Sequence, residues 1–389
     1  MNPVEEFGAD RLIGWVRGDS PGPMLICFGG LHGNEPAGVE GLKAIVQNLE
    51  RRRADLKGDF VAVRGNVQAL AQGKRFLEYD LNRSWRAGAV DRLEAEGGEP
   101  IGEDAEMLEI VRLVRWAVGA CRGPLYAVDL HTSSADGGAF TTVGDSLANR
   151  HFAMNIPVPL ILGLEELIEG TLVAHLNELG FITAVFESGQ HNEQRAVDRA
   201  EWGTWLLIRG AGLFGDRALP EADEAHRHLS AGFGSLPRVL EMRYRHPIEP
   251  FDGYVTRPGL ANFQTVAAGE VLADDRHGQV VSPEDGRLLM PLYQDQGEDG
   301  FFVIREFSRL WLRVSEILRR LRVGRIVHWL PGVYRDPGLP GALVADRRVA
   351  RWYALELFHL LGYRRHLEEG NRLVVVQRKA GPSGVAPAR

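Results

Sequence analysis

Cysteine is nearly absent: Cys27 and Cys121 are the two in 389 residues. Two thiols cannot build the disulfide framework that holds small secreted domains together. Both sit in or beside apolar runs, which reads as buried, reduced thiols. No apolar run approaches the roughly 20 residues a membrane helix needs. The first residues, MNPVEEFGAD, carry acids and no apolar core, unlike a secretory signal. Basic excess is missing too, with 45 Lys and Arg against 52 Asp and Glu and a formal charge of −7. That balance argues against a general nucleic-acid binder. The expectation is a cytoplasmic protein with neither a nucleic-acid nor a membrane partner.

What is present is ordinary globular material, 44% apolar and 25% charged, enough for a large core. The length suggests two or three domains. MLICFGG (24–30) reads as a buried strand leaving the sheet through a tight turn. AGVEGLKAIVQNLERRR then shows helical spacing at Val39, Leu42, Ile45, Val46 and Leu49. FVAVRG (60–65), LYAVDLH (125–131) and FITAVFESG (181–189) read as further strands, and 103–118 as an amphipathic helix. Alternating strands and helices predict an α/β sheet, at least partly parallel, over 1–215. Residues 216–236 read as a linker or loose helix. Short glycine-broken strands over 237–306 predict a small β domain, and 307–389 a C-terminal α+β extension. That extension holds helices at 307–322 and 347–362, a strand at RLVVVQRK and a disordered tail.

Ligands in open α/β sheets bind beyond the carboxyl ends of strands. Three predicted strands end in unusual chemistry: HGNE, DLHTSS and ESGQ. A catalytic zinc site needs about three protein ligands and an open position, and two histidines with a glutamate are one such set. His32 and Glu35 lie three residues apart on a glycine-containing loop. His131 supplies a third candidate from another strand end, with Asp129 placed to orient its second nitrogen. Glu187, after the apolar VF, would be costly to bury without a partner or a task. Beside an activated water it has one, accepting a proton and delivering it to a leaving nitrogen. RFLEYDLNRSW adds Arg75, Asn82 and Arg83 in one non-periodic stretch, suited to gripping a carboxylate or a developing oxyanion.

In this order and at these separations, HGNE, RFLEYDLNR, DLH and ESG resemble the aspartoacylase / succinylglutamate desuccinylase family of the zinc-carboxypeptidase clan. The resemblance covers roughly 24–200 well and 250–305 more weakly. It implies a zinc-carboxypeptidase-like mixed sheet flanked by helices, with a small β domain near the active-site mouth. It implies Zn2+ on His32, Glu35 and His131, Glu187 as general base and acid, and Arg75 polarising the scissile carbonyl. Asn82 and Arg83 match the pair that grips a substrate carboxylate. The implied reaction is hydrolysis of the amide bond of an N-acyl amino acid or similar small carboxylate-bearing amide. Homo-oligomerisation stays open.

Two departures stand out. Animal aspartoacylases carry a further arginine about ten residues before the catalytic glutamate, whereas VAHLNELGFITAVFE has none. They also place a tyrosine at the pocket, where GEDGFFV offers Phe301 and Phe302, with Tyr293 nearby. Arg195 and Arg199 are candidate substitutes for the missing charge. Other readings are a metallo-carboxypeptidase-like peptide amidase and a non-catalytic binder of small carboxylates. A lipoyl-type carrier is disfavoured, because residues 244–310 hold no lysine.

Overall fold

The computed structural model describes residues 3–234, 236–336, 342–346, 348–349, 358, 360–369 and 372–377. Most of the helix expected over 347–362 lies outside these residues, and the tail after 377 entirely so.

Eight strands carry the fold: β1 Leu12–Arg17, β2 Ser20–Gly29, β3 Lys57–Arg64, β4 Leu125–Ser133, β5 Phe140–Thr142, β6 Leu160–Leu162, β7 Ile182–Gln190 and β8 Val239–Pro247. They lie in the order β1-β3-β2-β4-β7-β5-β6-β8, and the sheet continues through Asp299–Glu306, Gly286–Leu289 and Thr265–Val266. β3, β2, β4 and β7 are parallel neighbours, while β1 and β5 pair antiparallel with β3 and β7. The result is an eleven-stranded mixed sheet flanked by helices.

The central strands read as unbroken apolar runs because both faces are covered. Successive side chains alternate between faces. Leu25 and Cys27 of β2 pack with Leu42, Ile45 and Leu49 of helix Ala37–Arg51 and with Trp205 of helix Gln194–Ala211. Met24, Ile26 and Phe28 point the other way, onto Met107, Ile110 and Leu113 of helix Gly102–Ala120. Cys27 is fully buried and burial pushes its thiol pKa up. Cys121 is only half-buried, because it ends that helix rather than lying within it.

Residues 216–236 hold a regular helix, Pro220–Ala231, started by a proline in its first turn and seated by buried Ala222, Ala225 and Leu229. Past it, β8 pairs with both β6 and Asp299–Glu306, so β8 and the strands Asp299–Glu306, Gly286–Leu289 and Thr265–Val266 extend the main sheet. A separate three-stranded sheet forms from Val255–Thr256, Val271–Asp275 and Gly278–Val281. The C-terminal part adds helix Arg309–Arg320 and a four-stranded sheet. Among the described residues no helix is long and apolar enough to cross a membrane.

Candidate metal centre

The parallel strands β2, β4 and β7 place their carboxyl ends along one edge of the sheet. Leaving β2, Gly30 takes a left-handed φ of 73°, and the loop turns to present His32 and Glu35. Gly33 serves close approach rather than bending. Its φ is ordinary, but a Cβ there would lie 2.1 Å from the carbonyl carbon of Ala69. This loop therefore seats directly on the backbone of helix Val67–Gln72.

His32, Glu35 and His131 converge, with one potential ligand atom from each lying within 4.8 Å of the others. His32 Nδ1 is 2.9 Å from Glu35 Oε1, and His131 Nδ1 is 3.1 Å from Glu35 Oε2. The outer nitrogens are backed by carboxylates: His32 Nε2 by Asp80 Oδ1 at 3.1 Å, His131 Nε2 by Asp129 Oδ2 at 2.6 Å. An outer N–H given to a carboxylate leaves the inner nitrogen as the lone-pair donor, the usual arrangement behind a metal-ligating imidazole. Burial acts to raise the Glu35 pKa, but His32 and His131 outweigh it and hold the carboxyl well below its usual range. Burial acts to lower that of His131, yet Asp129 and Glu35 hold it well above its usual value. A cation entering here must displace that proton. Two inward imidazole nitrogens, an ionised carboxylate and supported outer nitrogens fit a divalent ion such as zinc.

Glu187 is the register partner of His131 across β4 and β7. Its Oε2 is buried with no hydrogen-bond partner. Burial, with Glu35 and Asp129 adding to it and His131 opposing, pushes its pKa up to about 8. Arg75 gives its Nε and Nη2 to Asp80 Oδ2, at 3.2 and 2.9 Å, while Nη1 reaches to 3.6 Å from Glu35 Oε1.

Asn82 is engaged within the protein. Its Oδ1 accepts from Leu172 N at 2.9 Å, and its Nδ2 lies 3.2 Å from His131 Nε2. Arg83 donates through Nη1 to Asn82 O and through Nη2 to Asp299 Oδ2, at 3.0 and 2.8 Å. All seven candidate residues line one cavity, together with Thr142, Val143, Ile168 and Phe302. Phe301 is buried outside the lining, and the Tyr293 hydroxyl is used by Arg257 O and Leu260 N. Arg195 is exposed, and Arg199 reaches Ser188 O and Glu193; neither lines the cavity.

The segment 21–183 matches the family model described as the succinylglutamate desuccinylase/aspartoacylase catalytic domain. Succinylglutamate desuccinylase of Burkholderia cenocepacia is 31% identical over 285 residues, 69% of this chain and 76% of that protein. The chain belongs to the succinylglutamate desuccinylase/aspartoacylase family. The match to the Burkholderia pseudomallei desuccinylase is shorter, 31% identity over 109 residues, spanning 28% of this chain and 30% of that protein. The crystal structure of a family member from Rhodobacter sphaeroides has a TM-score of 0.55 at 18% identity, covering 76% of this chain and 88% of that one. That likeness shows the fold.

Five further residues join this family member's site. Asp80 grips both His32 and Arg75. Its signal in the sequence is faint, since it is one of two acids, with Glu78, between Arg75 and Arg83. His191, directly after ESGQ, lies 2.7 Å from Thr132 Oγ1 and 3.1 Å from Gln294 Oε1. Asn34 of the HGNE loop also donates to Gln294 Oε1, at 2.7 Å. Nothing in the sequence marks Gln294 or Asp299, which the sheet extension delivers to the cavity.

Proposed function

We propose that the chain is a zinc-dependent hydrolase that cleaves the amide bond of an N-acyl amino acid or a similar small carboxylate-bearing amide. The observation that carries this reading is the buried, unpartnered Oε2 of Glu187 beside three converging ligand atoms. A buried carboxylate oxygen without a partner is costly unless it has work to do.

His32, Glu35 and His131 would hold the ion. When bound, it supplies Lewis acidity that polarises a carbonyl and brings the pKa of a coordinated water to about 7. Glu187 takes a proton from the attacking water and returns it to the departing nitrogen. Burial, which pushes its pKa up to about 8, suits it to both transfers near neutral pH. Arg75, anchored by Asp80, turns Nη1 towards the carbonyl oxygen as negative charge develops there. Arg83, with Asn82 fixing the loop beneath it, offers its remaining N–H groups to a substrate carboxylate. Dry walls of Val143, Ile168 and Phe302 strengthen these electrostatic contacts.

The decisive experiment loads purified protein with zinc and screens acetyl, succinyl and formyl amino acids alongside short peptides. Release of amine from an N-acyl amino acid, abolished by chelation and restored by zinc, is the expected result. Cleavage of peptides alone would favour a peptide amidase. Less than one equivalent of metal, with no turnover, would leave a carboxylate binder.

A further inference from the structure

The small β region brings a carboxylate to the residue best placed to recognise anionic substrates. Asp299 accepts from Arg83 Nη2 through one oxygen and from Arg245 Nε through the other. Its side chain is only 10% exposed. Arg245 is pinned in turn by donating Nη1 to Leu167 O at 2.9 Å. With both oxygens engaged and little solvent to replace them, Asp299 is costly to swing away.

The charge balance of the cavity follows. Both guanidiniums that line it already face protein carboxylates, Arg75 on Asp80 and Arg83 on Asp299. Glu298 and Glu165 line it as well. The segment 172–186 contributes no arginine. Arg83 keeps an Nε–H that is buried without a partner. Its guanidinium still has N–H groups to donate, but Asp299 occupies the Nη2 side and balances much of its charge. A second substrate carboxylate would meet no unpaired cation on these walls and several acids instead. Like charges placed together without compensation are strongly disfavoured.

We infer that Asp299 is a specificity-determining residue that restricts the cavity to acylated amino acids with a single carboxylate and a neutral or cationic side chain. This rests on the deacylase reading above. It sets the chain apart from relatives named for succinylglutamate, a compound with three carboxylates.

N-acetylglutamine and N-acetylglutamate have nearly the same shape and differ in one charge, and Nα-acetyllysine adds a cation. With zinc-loaded wild type, kcat/KM for the glutamine and lysine compounds should exceed that for glutamate by about tenfold or more. Asp299→Asn, which keeps the shape and drops the charge, should shrink that ratio by about tenfold while the variant still folds, at a lower Tm because Arg83 and Arg245 lose their charged partner. Faster wild-type hydrolysis of N-acetylglutamate overturns the inference, and that measurement decides even if the variant does not fold. An unchanged ratio in a folded Asp299→Asn overturns it too. If no acyl amino acid is hydrolysed, the deacylase reading fails, and calorimetry with glutarate and its monoamide still decides the role of Asp299. Wild type should bind the monoamide more tightly and Asp299→Asn should lose that preference; tighter wild-type binding of glutarate counts against it.

Discussion

His131 and Glu187 are opposite one another in the parallel ladder of β4 and β7, so a metal-ligand candidate and a carboxyl with one unpartnered oxygen are neighbours by register. A one-residue slip would send either side chain to the other face of the sheet. Glu187→Gln preserves this packing and removes only the proton-carrying oxygen. Zinc content should stay at the wild-type level, while kcat falls by about 10²- to 10⁴-fold. Near-normal turnover in the variant would remove Glu187 from the mechanism.

The same carboxyl gives the metal-free protein a pH signature. Its pKa rises from 4.5 to about 8 on folding, mainly through burial. Between these values the folded state holds a proton that the unfolded chain has released, so stability falls as pH rises through this window. Below it both states are protonated, and above it neither is. Thermal melting of metal-free protein should therefore lose more Tm between pH 5 and 8 in wild type than in Glu187→Gln. His131 lies beside this carboxyl, so the difference between the curves reads Glu187 together with its interaction with His131. Parallel curves would mean its proton is not retained on folding.

Asp80 supports His32 Nε2 and the Arg75 guanidinium at once. Loss of a carboxylate behind a ligating imidazole commonly weakens metal binding by about 10- to 100-fold. Asp80→Asn should show that loss in competition with a chromophoric zinc chelator, together with a lower kcat from a misdirected Arg75. Wild-type affinity in this variant would confine Asp80 to folding.

The difference between what was legible and what was not is physical. β2, β3, β4 and β7 announce themselves as apolar runs, since both faces of the sheet are covered. β5 and β6 have three residues each and no period to read. The joining of β8 to β6 is a long-range pairing, which is why a self-contained β region was expected where the sheet in fact continues. His32, Glu35, His131 and Glu187 could be singled out because polar residues end apolar strands. Asp299 could not, because its meeting with Arg83, 216 residues away, exists only after folding.

Gly33 offers a test of the seat beneath the loop. In Gly33→Ala the new methyl would lie 2.1 Å from a backbone carbon of Ala69, which no side-chain rotation relieves. Either the HGNE loop lifts or helix Val67–Gln72 shifts. The expected cost is about 1–3 kcal/mol or more in urea unfolding, with weakened zinc binding because His32 and Glu35 ride on the displaced loop. Full zinc affinity at wild-type stability would mean the loop has slack.

Arg75 and Arg83 should separate kinetically. Arg75 turns Nη1 towards Glu35, and on the proposed mechanism its contribution would be made in the transition state. Arg75→Ala should lower kcat and kcat/KM together with little change in KM. Arg83 lies on the wall beside Asp299, and on the proposed mechanism it would hold substrate and transition state alike. Arg83→Ala should raise KM at nearly constant kcat. It also leaves Asp299 balanced by Arg245 alone, so the rise should be steepest for substrates with an acidic side chain. If both variants changed only KM, the oxyanion role of Arg75 would be wrong, and that guanidinium would serve to brace Asp80 behind His32.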